Sequence, residues 1–205
     1  MAVLLGMFIY RVSQPRILSA KEIVNSGAVM FETPREISAF SLLDTRGEPF
    51  TLASLKGGWT FVFFGFTHCP DICPATVAQF NELQRKLGES GNSHYAKYAR
   101  DTRFLLVSLD PARDTPDVLG KYLDYFNPDF MGATGDFLQL RKFAGELNVA
   151  FRKVVTDHDS GDYTIDHGGN VALVNPRGLY QGFFKPPLDL DRMALIYRSV
   201  RMQAE

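Results

Sequence analysis

The feature that most constrains the fold of this 205-residue chain is a continuous apolar run, WTFVFFGF, at residues 59–66. A β-strand that is apolar on both sides is usually buried in the middle of a sheet that helices cover. A second run of this kind, RFLLVSLD, lies at residues 103–110. Amphipathic helical patterns follow the two runs, over residues 75–88 and 114–126. This alternation predicts an α/β fold built around an open sheet.

The rest of the chain extends this pattern on both sides. FSLLD (40–44) and PFTL (49–52) flank a turn signal, which predicts an N-terminal hairpin and makes the sheet mixed. A further helix is predicted over residues 136–148 and leads into residues 149–155. Three strands follow over residues 163–166, 170–175 and 178–184, and a closing helix over residues 189–202. This order is typical of a thioredoxin-like fold, with a central mixed sheet flanked by helices.

Charge and composition exclude several classes of protein. The 22 Lys and Arg residues nearly balance the 23 Asp and Glu residues, so no basic face for nucleic acid is indicated. The length suits one domain.

The apolar run MAVLLGMFIY, residues 1–10, has about half the length that crosses a bilayer. We interpret residues 1–35 as an arm, the remnant of a membrane anchor plus a linker, and residues 36–205 as the domain; a short buried or disordered start is the alternative.

The two cysteines of the chain, Cys69 and Cys73, lie between the first buried strand and its helix. Reactive groups in an open α/β sheet collect at this end of the strands, where the helix dipole should lower thiol pKa values. Pro74 suits the first helical position, which predicts Cys73 as the N-cap. A spacing of four would let the two sulfurs share a metal ion or form a disulfide. Two core cysteines are the alternative.

Thiolates are soft ligands that favour Cu(I) or Zn, and two of them rarely hold an ion without a third donor. Four histidines could supply that donor: His68, His94, His158 and His167. His94 lies in a polar stretch predicted as a loop, and His158 lies among turn-forming residues, so both are expected at the surface.

The other two histidines lie nearer the predicted site. His68 adjoins Cys69, but neighbours in an extended loop point apart, so we expect it beside the site. His167 ends a predicted strand, and the following Gly168-Gly169 suits a close approach of the backbone. From the residues alone, a metal ligand and a core histidine are equally good interpretations of His167.

The segment DPARDTP follows the second buried strand and should lie at the same edge of the sheet. A local interpretation is that Asp114 or Thr115 caps the next helix while Arg113 pairs with a carboxylate. The alternative is that these side chains orient the cysteine site or bind a partner. Asp71, between the cysteines, could accept a hydrogen bond within the loop.

Three segments together resemble the Sco/SenC family of copper-binding, thioredoxin-like cytochrome c oxidase assembly proteins: TFVFFGFTHCPDICPATVAQF, VSLDPARDTPDVLGKYLDYF and YTIDHGGNVALVNPRG. The resemblance runs from about residue 40 to the C-terminus. It implies a copper ion, Cu(I) or Cu(II), held by Cys69, Cys73 and His167. It also implies a metallochaperone that delivers copper to, or matures, the dinuclear copper site of the oxidase. The family often has Ser where this chain has Gly168.

The resemblance further implies a partner and a location. The partner would be the copper-bearing subunit of cytochrome c oxidase or another cuproprotein. An anchor in the inner membrane would hold the domain in the bacterial periplasm or, alternatively, in the mitochondrial intermembrane space. Two other functions stay open: a thiol-disulfide reductase or redox sensor with Cys69 and Cys73 as the redox-active pair, and a peroxidase-like protein.

Overall fold

The computed structural model describes residues 17–89, 93–157 and 159–204. The helices are α1 (Ala20–Asn25), α2 (Ile72–Gly88), α3 (Ser93–Arg100), α4 (Pro116–Phe126), α5 (Phe137–Glu146) and α6 (Leu190–Ala204), with a 3₁₀ helix at Leu52–Leu55. The strands are β1 (Ala28–Arg35), β2 (Ser41–Asp44), β3 (Pro49–Thr51), β4 (Trp59–Gly65), β5 (Thr102–Ser108), β6 (Met131–Thr134), β7 (Phe151–Val155), β8 (Tyr163–His167), β9 (Val171–Val174) and β10 (Tyr180–Phe184).

Eight of these strands form one sheet, in the order β1-β10-β9-β4-β5-β6-β2-β3. The central strands β4, β5 and β6 are parallel, and the other pairings in the sheet are antiparallel. Strands β7 and β8 form a separate antiparallel pair. The predicted α/β class is therefore confirmed, with a central mixed sheet, flanking helices and the hairpin β2–β3 at one edge.

Strand β4 lies between β9 and β5, and every one of its residues is buried. The ring of Phe61 packs between layers, with centroids 5.5 Å from Phe104 on β5, 5.7 Å from Phe184 on β10 and 5.1 Å from Tyr197 on α6. Aromatic pairs at such distances contribute beyond the area that they bury. The continuous apolar run thus places β4 in the centre of the sheet. The strand ends at Gly65, and the chain continues from there into the segment that carries the cysteines.

Residues 20–35 differ from the predicted linker, because they form α1 and the edge strand β1. Strand β1 pairs antiparallel with β10, and a capping box between Ser19 and Glu22 begins α1. A proline such as Pro34 is tolerated on an edge strand, where its missing N–H breaks no pairing. In a sequence, however, a proline argues against a strand, which is why β1 was not predicted. The apolar run at residues 1–10 lies outside the described residues. Within the described ranges, no helix is long and apolar enough to cross a bilayer.

Two other elements were not predicted, α3 and β6. The backbone of His94 lies in α3, so the prediction of a loop there is wrong. Strand β6 has only four residues, MGAT, which is too short to show a periodic pattern. It is buried because it pairs with β5 on one side and with the hairpin strand β2 on the other. Such a strand is specified by its neighbours more than by its own sequence.

The packing of α1 can be tested with a pair of adjacent substitutions. Ile23 is 5% exposed, whereas Val24 is 58% exposed. We expect Ile23→Ala to lower the free energy of unfolding by about 2–5 kcal/mol, because it leaves a cavity in the core. Val24→Ala is the control and should change it by less than about 0.5 kcal/mol. Urea denaturation of the metal-free chain measures both, and equal small effects would mean that α1 is not packed on the domain.

Candidate metal centre

The loop that joins β4 to α2 and the first turn of α2 carry the two cysteines, at the carboxyl end of a central parallel strand. Cys69 lies in the loop, and Cys73 is the second residue of α2. The N-cap is Asp71, so the prediction that Cys73 caps the helix is wrong. Pro74 can occupy the third position because the first turn of a helix needs no hydrogen bond from its amides. The exposed side chain of Asp71 makes no capping hydrogen bond, so the amide of Cys73 is left to donate to the Cys69 sulfur at 3.4 Å.

The structure brings Cys69, Cys73 and His167 together, although 94 positions separate Cys73 from the histidine. One ligand atom from each residue lies within 4.8 Å of the other two. The Cys73 Sγ and His167 Nε2 atoms are 3.6 Å apart. Cys73 is buried, while Cys69 and His167 are half-buried. Two sulfurs and one imidazole nitrogen are thus gathered at one point, with one side open to solvent.

His167 reaches this point because β8 ends there, and its ring is held from several directions. The imidazole packs edge-on against Phe63 and Phe66, with centroids 6.0 Å away in each case. Its Nδ1 lies 3.1 Å from the carbonyl oxygen of Gly168. With its proton on Nδ1, the ring donates to that carbonyl, and Nε2 accepts a hydrogen bond from the Cys73 thiol. Burial lowers the pKa of His167, which favours this neutral, ligating form.

Gly65 makes room for the buried cysteine. A Cβ atom at this position would lie 3.0 Å from Cys73 Sγ, 3.0 Å from the ring of Phe63 and 3.3 Å from Leu106. Contacts this short would force at least one of these side chains to shift. The last residue of β4 therefore has to be small for the Cys73 sulfur to lie against the sheet. No pattern in the sequence pointed to this glycine.

The two glycines after His167 do not have the role expected of them. A Cβ atom at Gly168 would meet no described atom within 4 Å, and one at Gly169 would make ordinary contact with Pro186 at 3.4 Å. Neither residue has a positive φ. The prediction of a close backbone approach here is wrong, and a serine at position 168, which the resemblance leads one to expect, would fit.

The Cys73 thiol lies in an environment that opposes ionisation. Burial raises the pKa of Cys73, the hydrogen bond with the Cys69 side chain raises it further, and the backbone amide of Phe66 lowers it. The predicted fall of thiol pKa is therefore wrong for Cys73, because loss of solvent outweighs the helix dipole. A metal ion, which binds thiolates, has to displace this proton.

The remaining histidines do not join the cluster in the described part of the chain. His68 is exposed, and its Nδ1 lies 3.0 Å from the Thr67 hydroxyl and 3.8 Å from Asp114. His158 lies outside the described residues, as does the side chain of His94. His68 therefore contacts Thr67 and Asp114, which support the loop between β4 and α2 (the cysteine loop), and does not join the three candidate ligands.

Asp114 holds the cysteine loop in place. Its carboxylate has no exposed surface and accepts hydrogen bonds from the backbone N–H of Thr67 at 2.9 Å and from the hydroxyls of Thr67 and Ser108. Thr115 alone caps α4, with its side chain accepting from the N–H of Val118. The capping prediction is thus confirmed for Thr115, and Asp114 has the orienting role that was the alternative.

Asp110 and Arg113 connect the same segment to the strand that carries His167. Arg113 pairs with Asp110, as the local interpretation predicted, and also donates to the carbonyl oxygen of Tyr163 at 3.2 Å. The Tyr163 hydroxyl donates to Asp110 at 2.8 Å, and the Arg113 guanidinium lies 3.8 Å from the centre of the Tyr163 ring. Tyr163 is the first residue of β8. The segment 110–114 is therefore hydrogen-bonded to the loop that carries Cys69 and to the strand that carries His167.

Residues 30–201 match the family model of SCO1/SenC proteins. The chain belongs to the SCO1/SenC family. A protein of Stutzerimonas stutzeri whose name refers to copper binding is 38% identical over 175 residues, which cover 85% of this chain and 81% of the relative.

Solved structures of family members have the same fold. The copper-bound structure of Bradyrhizobium japonicum ScoI is 33% identical, with a TM-score of 0.67, and the match covers 81% of this chain and 99% of that one. The copper-bound structure of Arabidopsis thaliana ScoI is 30% identical, with a TM-score of 0.70, and the match covers 80% and 98%. The predicted thioredoxin-like fold and the family resemblance are thereby confirmed.

The space that Gly65 provides can be tested with a second glycine of the same site as control. We expect Gly65→Ala to lower the free energy of unfolding by about 1–3 kcal/mol, because the added methyl group overlaps Cys73 and Phe63. Gly168→Ala adds the same group where the structure has room and should change it by less than about 0.5 kcal/mol. Urea denaturation of the reduced chain measures both. A larger loss in Gly168→Ala than in Gly65→Ala would contradict the geometry described above.

Proposed function

We propose that the chain binds one copper ion through Cys69, Cys73 and His167 and delivers it to, or matures, the dinuclear copper site of cytochrome c oxidase. The observation that carries this proposal is the meeting of two sulfurs and one imidazole nitrogen within 4.8 Å. Membership of the SCO1/SenC family and the likeness to copper-bound structures support copper as the metal.

The donor set fits copper on chemical grounds. Thiolate sulfur is a soft ligand that prefers Cu(I), and imidazole is a good ligand for both oxidation states of copper. The set contains no carboxylate, which argues against Mg²⁺ and Ca²⁺, since these prefer oxygen ligands. When bound, copper would be a cargo, and the chain's own contribution is to hold the three ligands together and to keep His167 neutral.

The exposure of the ligands suits transfer to another protein. Cys73 is buried against the sheet, whereas Cys69 is half-buried and its neighbours His68, Pro70 and Ile72 are exposed. A recipient could therefore replace Cys69 first, while Cys73 and His167 still hold the cargo. We propose the copper-bearing subunit of the oxidase as the recipient, with another cuproprotein as the alternative, on the basis of the family.

We further propose that residues 1–12 belong to an inner-membrane anchor and that the domain faces the bacterial periplasm. The apolar sequence of residues 1–10 supports the anchor. Curated relatives include the mitochondrial SCO2 proteins of Saccharomyces cerevisiae and Homo sapiens, which supports the inner mitochondrial membrane as the alternative.

Copper binding is tested with the reduced chain, kept free of oxygen and titrated with Cu(I) against a chromogenic chelator. We expect about one ion per chain. Cys69→Ser, Cys73→Ser and His167→Ala should each weaken binding by at least about 100-fold, more than the usual loss from changing a residue behind a ligand. His68→Ala is the matched control, because it removes an adjacent imidazole outside the cluster. Wild-type affinity in His167→Ala would contradict the three-ligand site.

A second function, reduction of a partner's disulfide, is favoured by the unequal exposure of the two cysteines. The Cys69 thiolate would attack the partner disulfide, forming a mixed disulfide and releasing one partner thiolate. The Cys73 thiolate would then attack the Cys69 sulfur, closing the Cys69–Cys73 disulfide and releasing the second partner thiolate. Two electrons pass to the partner. The half-buried position of Cys69 and the buried position of Cys73 support this order.

The order of attack can be tested by trapping the mixed disulfide with a disulfide-bonded peptide as the probe. We expect Cys73→Ser to accumulate the mixed disulfide, because Cys69 attacks and nothing resolves it. Cys69→Ser should form at least about tenfold less, since the remaining thiol is buried and its pKa is raised. Mass spectrometry of acid-quenched samples measures both. More trapping in Cys69→Ser than in Cys73→Ser would reverse the assignment.

A further inference from the structure

Tyr122, on α4, has a buried hydroxyl group that no part of the function described so far uses. Its ring packs against Phe126, with centroids 5.1 Å apart. Among the residues that the structure describes, the buried hydroxyl oxygen has no hydrogen-bond partner. A buried tyrosine hydroxyl usually finds a partner, because an unpaired one loses its bond to water without replacement. Such a group calls for an explanation, and a hydrogen bond that forms when a ligand binds is a direct candidate.

The position of α4 beside α2 brings this hydroxyl toward the cysteine pair. The Asn81 side chain on α2 donates to the carbonyl oxygen of Phe126 on α4 at 2.9 Å. This hydrogen bond places Asn81 and Phe126 at about the same height along the two neighbouring helices. Both helices follow parallel strands of the sheet and run in the same direction. Tyr122 lies one turn before Phe126, and Cys73 lies about two turns before Asn81. A tyrosine in a helix points back toward the N-terminus, which raises its hydroxyl to the level of Cys73.

The charges around Tyr122 agree with this position. Burial raises the pKa of Tyr122, and the electrostatic influence of the nearby ionisable groups of Cys73, Cys69 and Asp114 raises it further. The hydroxyl therefore keeps its proton at neutral pH and can donate a hydrogen bond to these groups. Asp114 already accepts hydrogen bonds from Thr67 and Ser108. Of the three, the cysteine sulfurs are the groups that gain negative charge when a metal binds.

We infer that Tyr122 is a positioning residue of the proposed copper site, whose hydroxyl donates a hydrogen bond to the Cys73 sulfur when that cysteine binds metal as a thiolate. The inference rests on the proposed copper function. Among the described residues the hydroxyl has no hydrogen-bond partner, and a neutral Cys73 thiol would be only a weak acceptor. A thiolate is a much stronger acceptor, and hydrogen bonds to ionised groups are roughly twice as strong as neutral ones.

Tyr122→Phe tests the inference, because it removes the hydroxyl and keeps the ring. We expect the apparent Kd for Cu(I), measured by chelator competition, to rise about tenfold, the effect of one hydrogen bond to a charged acceptor. The melting temperature of the metal-free chain should stay the same or rise, since a hydroxyl without a partner is removed. In the Cu(II) form, the sulfur-to-copper charge-transfer band should shift, because hydrogen bonding at the cysteine sulfur tunes the metal.

Tyr125→Phe is the matched control, because Tyr125 lies on the same helix and is 86% exposed. It should leave the affinity, the melting temperature and the absorption band unchanged. Equal copper affinity and an unshifted band in Tyr122→Phe would overturn the role of Tyr122 alone. A lower melting temperature of metal-free Tyr122→Phe would also overturn it, since the hydroxyl would then have a partner without metal. Failure of the wild-type chain to bind copper in the same titration would instead overturn the proposed function.

Discussion

The buried carboxylate of Asp114 is the interaction on which the geometry of the site depends. It accepts hydrogen bonds from the backbone and side chain of Thr67, at the start of the cysteine loop, and from Ser108 at the end of β5. Hydrogen bonds to a charged acceptor contribute about 1.5–3 kcal/mol each. Through Asp110 and Tyr163, the same short segment also holds the beginning of β8. Residues 110–114 thereby support both the loop that carries Cys69 and the strand that carries His167, although these two ligands are far apart in the sequence.

The burial of Cys73 gives the site its chemical character. Loss of solvent keeps the metal-free cysteine protonated, so the fold holds a thiol that becomes a thiolate only when something replaces its proton. A soft metal ion can do this, and so can closure of a disulfide with Cys69. Both proposed functions therefore use the same two sulfurs and the same difference in exposure. His167 distinguishes them, because a metal site uses its Nε2 as a third ligand, whereas thiol-disulfide exchange requires only the two sulfurs.

Long periodic segments were predictable from the sequence, and short or context-dependent ones were not. The sequence of β4 predicts a buried strand because it is apolar throughout, and the sequence of α2 predicts a helix because its apolar residues repeat at helical spacing. By contrast, β1 contains Pro34, and β6 has four small or flexible residues whose burial is decided by β5 and β2. The two cysteines were recognisable from their place after a buried strand, whereas His167 needed the family resemblance. The supporting groups Gly65 and Tyr122 were missed because their roles depend on contacts between elements.

The most direct test of the proposed site is X-ray absorption at the copper edge, measured on the reduced chain loaded with one equivalent of Cu(I). Two sulfur neighbours and one imidazole nitrogen are predicted in the first shell. The imidazole contribution should disappear in His167→Ala and persist in His68→Ala. A first shell without sulfur, or one that is the same in the wild-type chain and in His167→Ala, would contradict a copper site built from Cys69, Cys73 and His167.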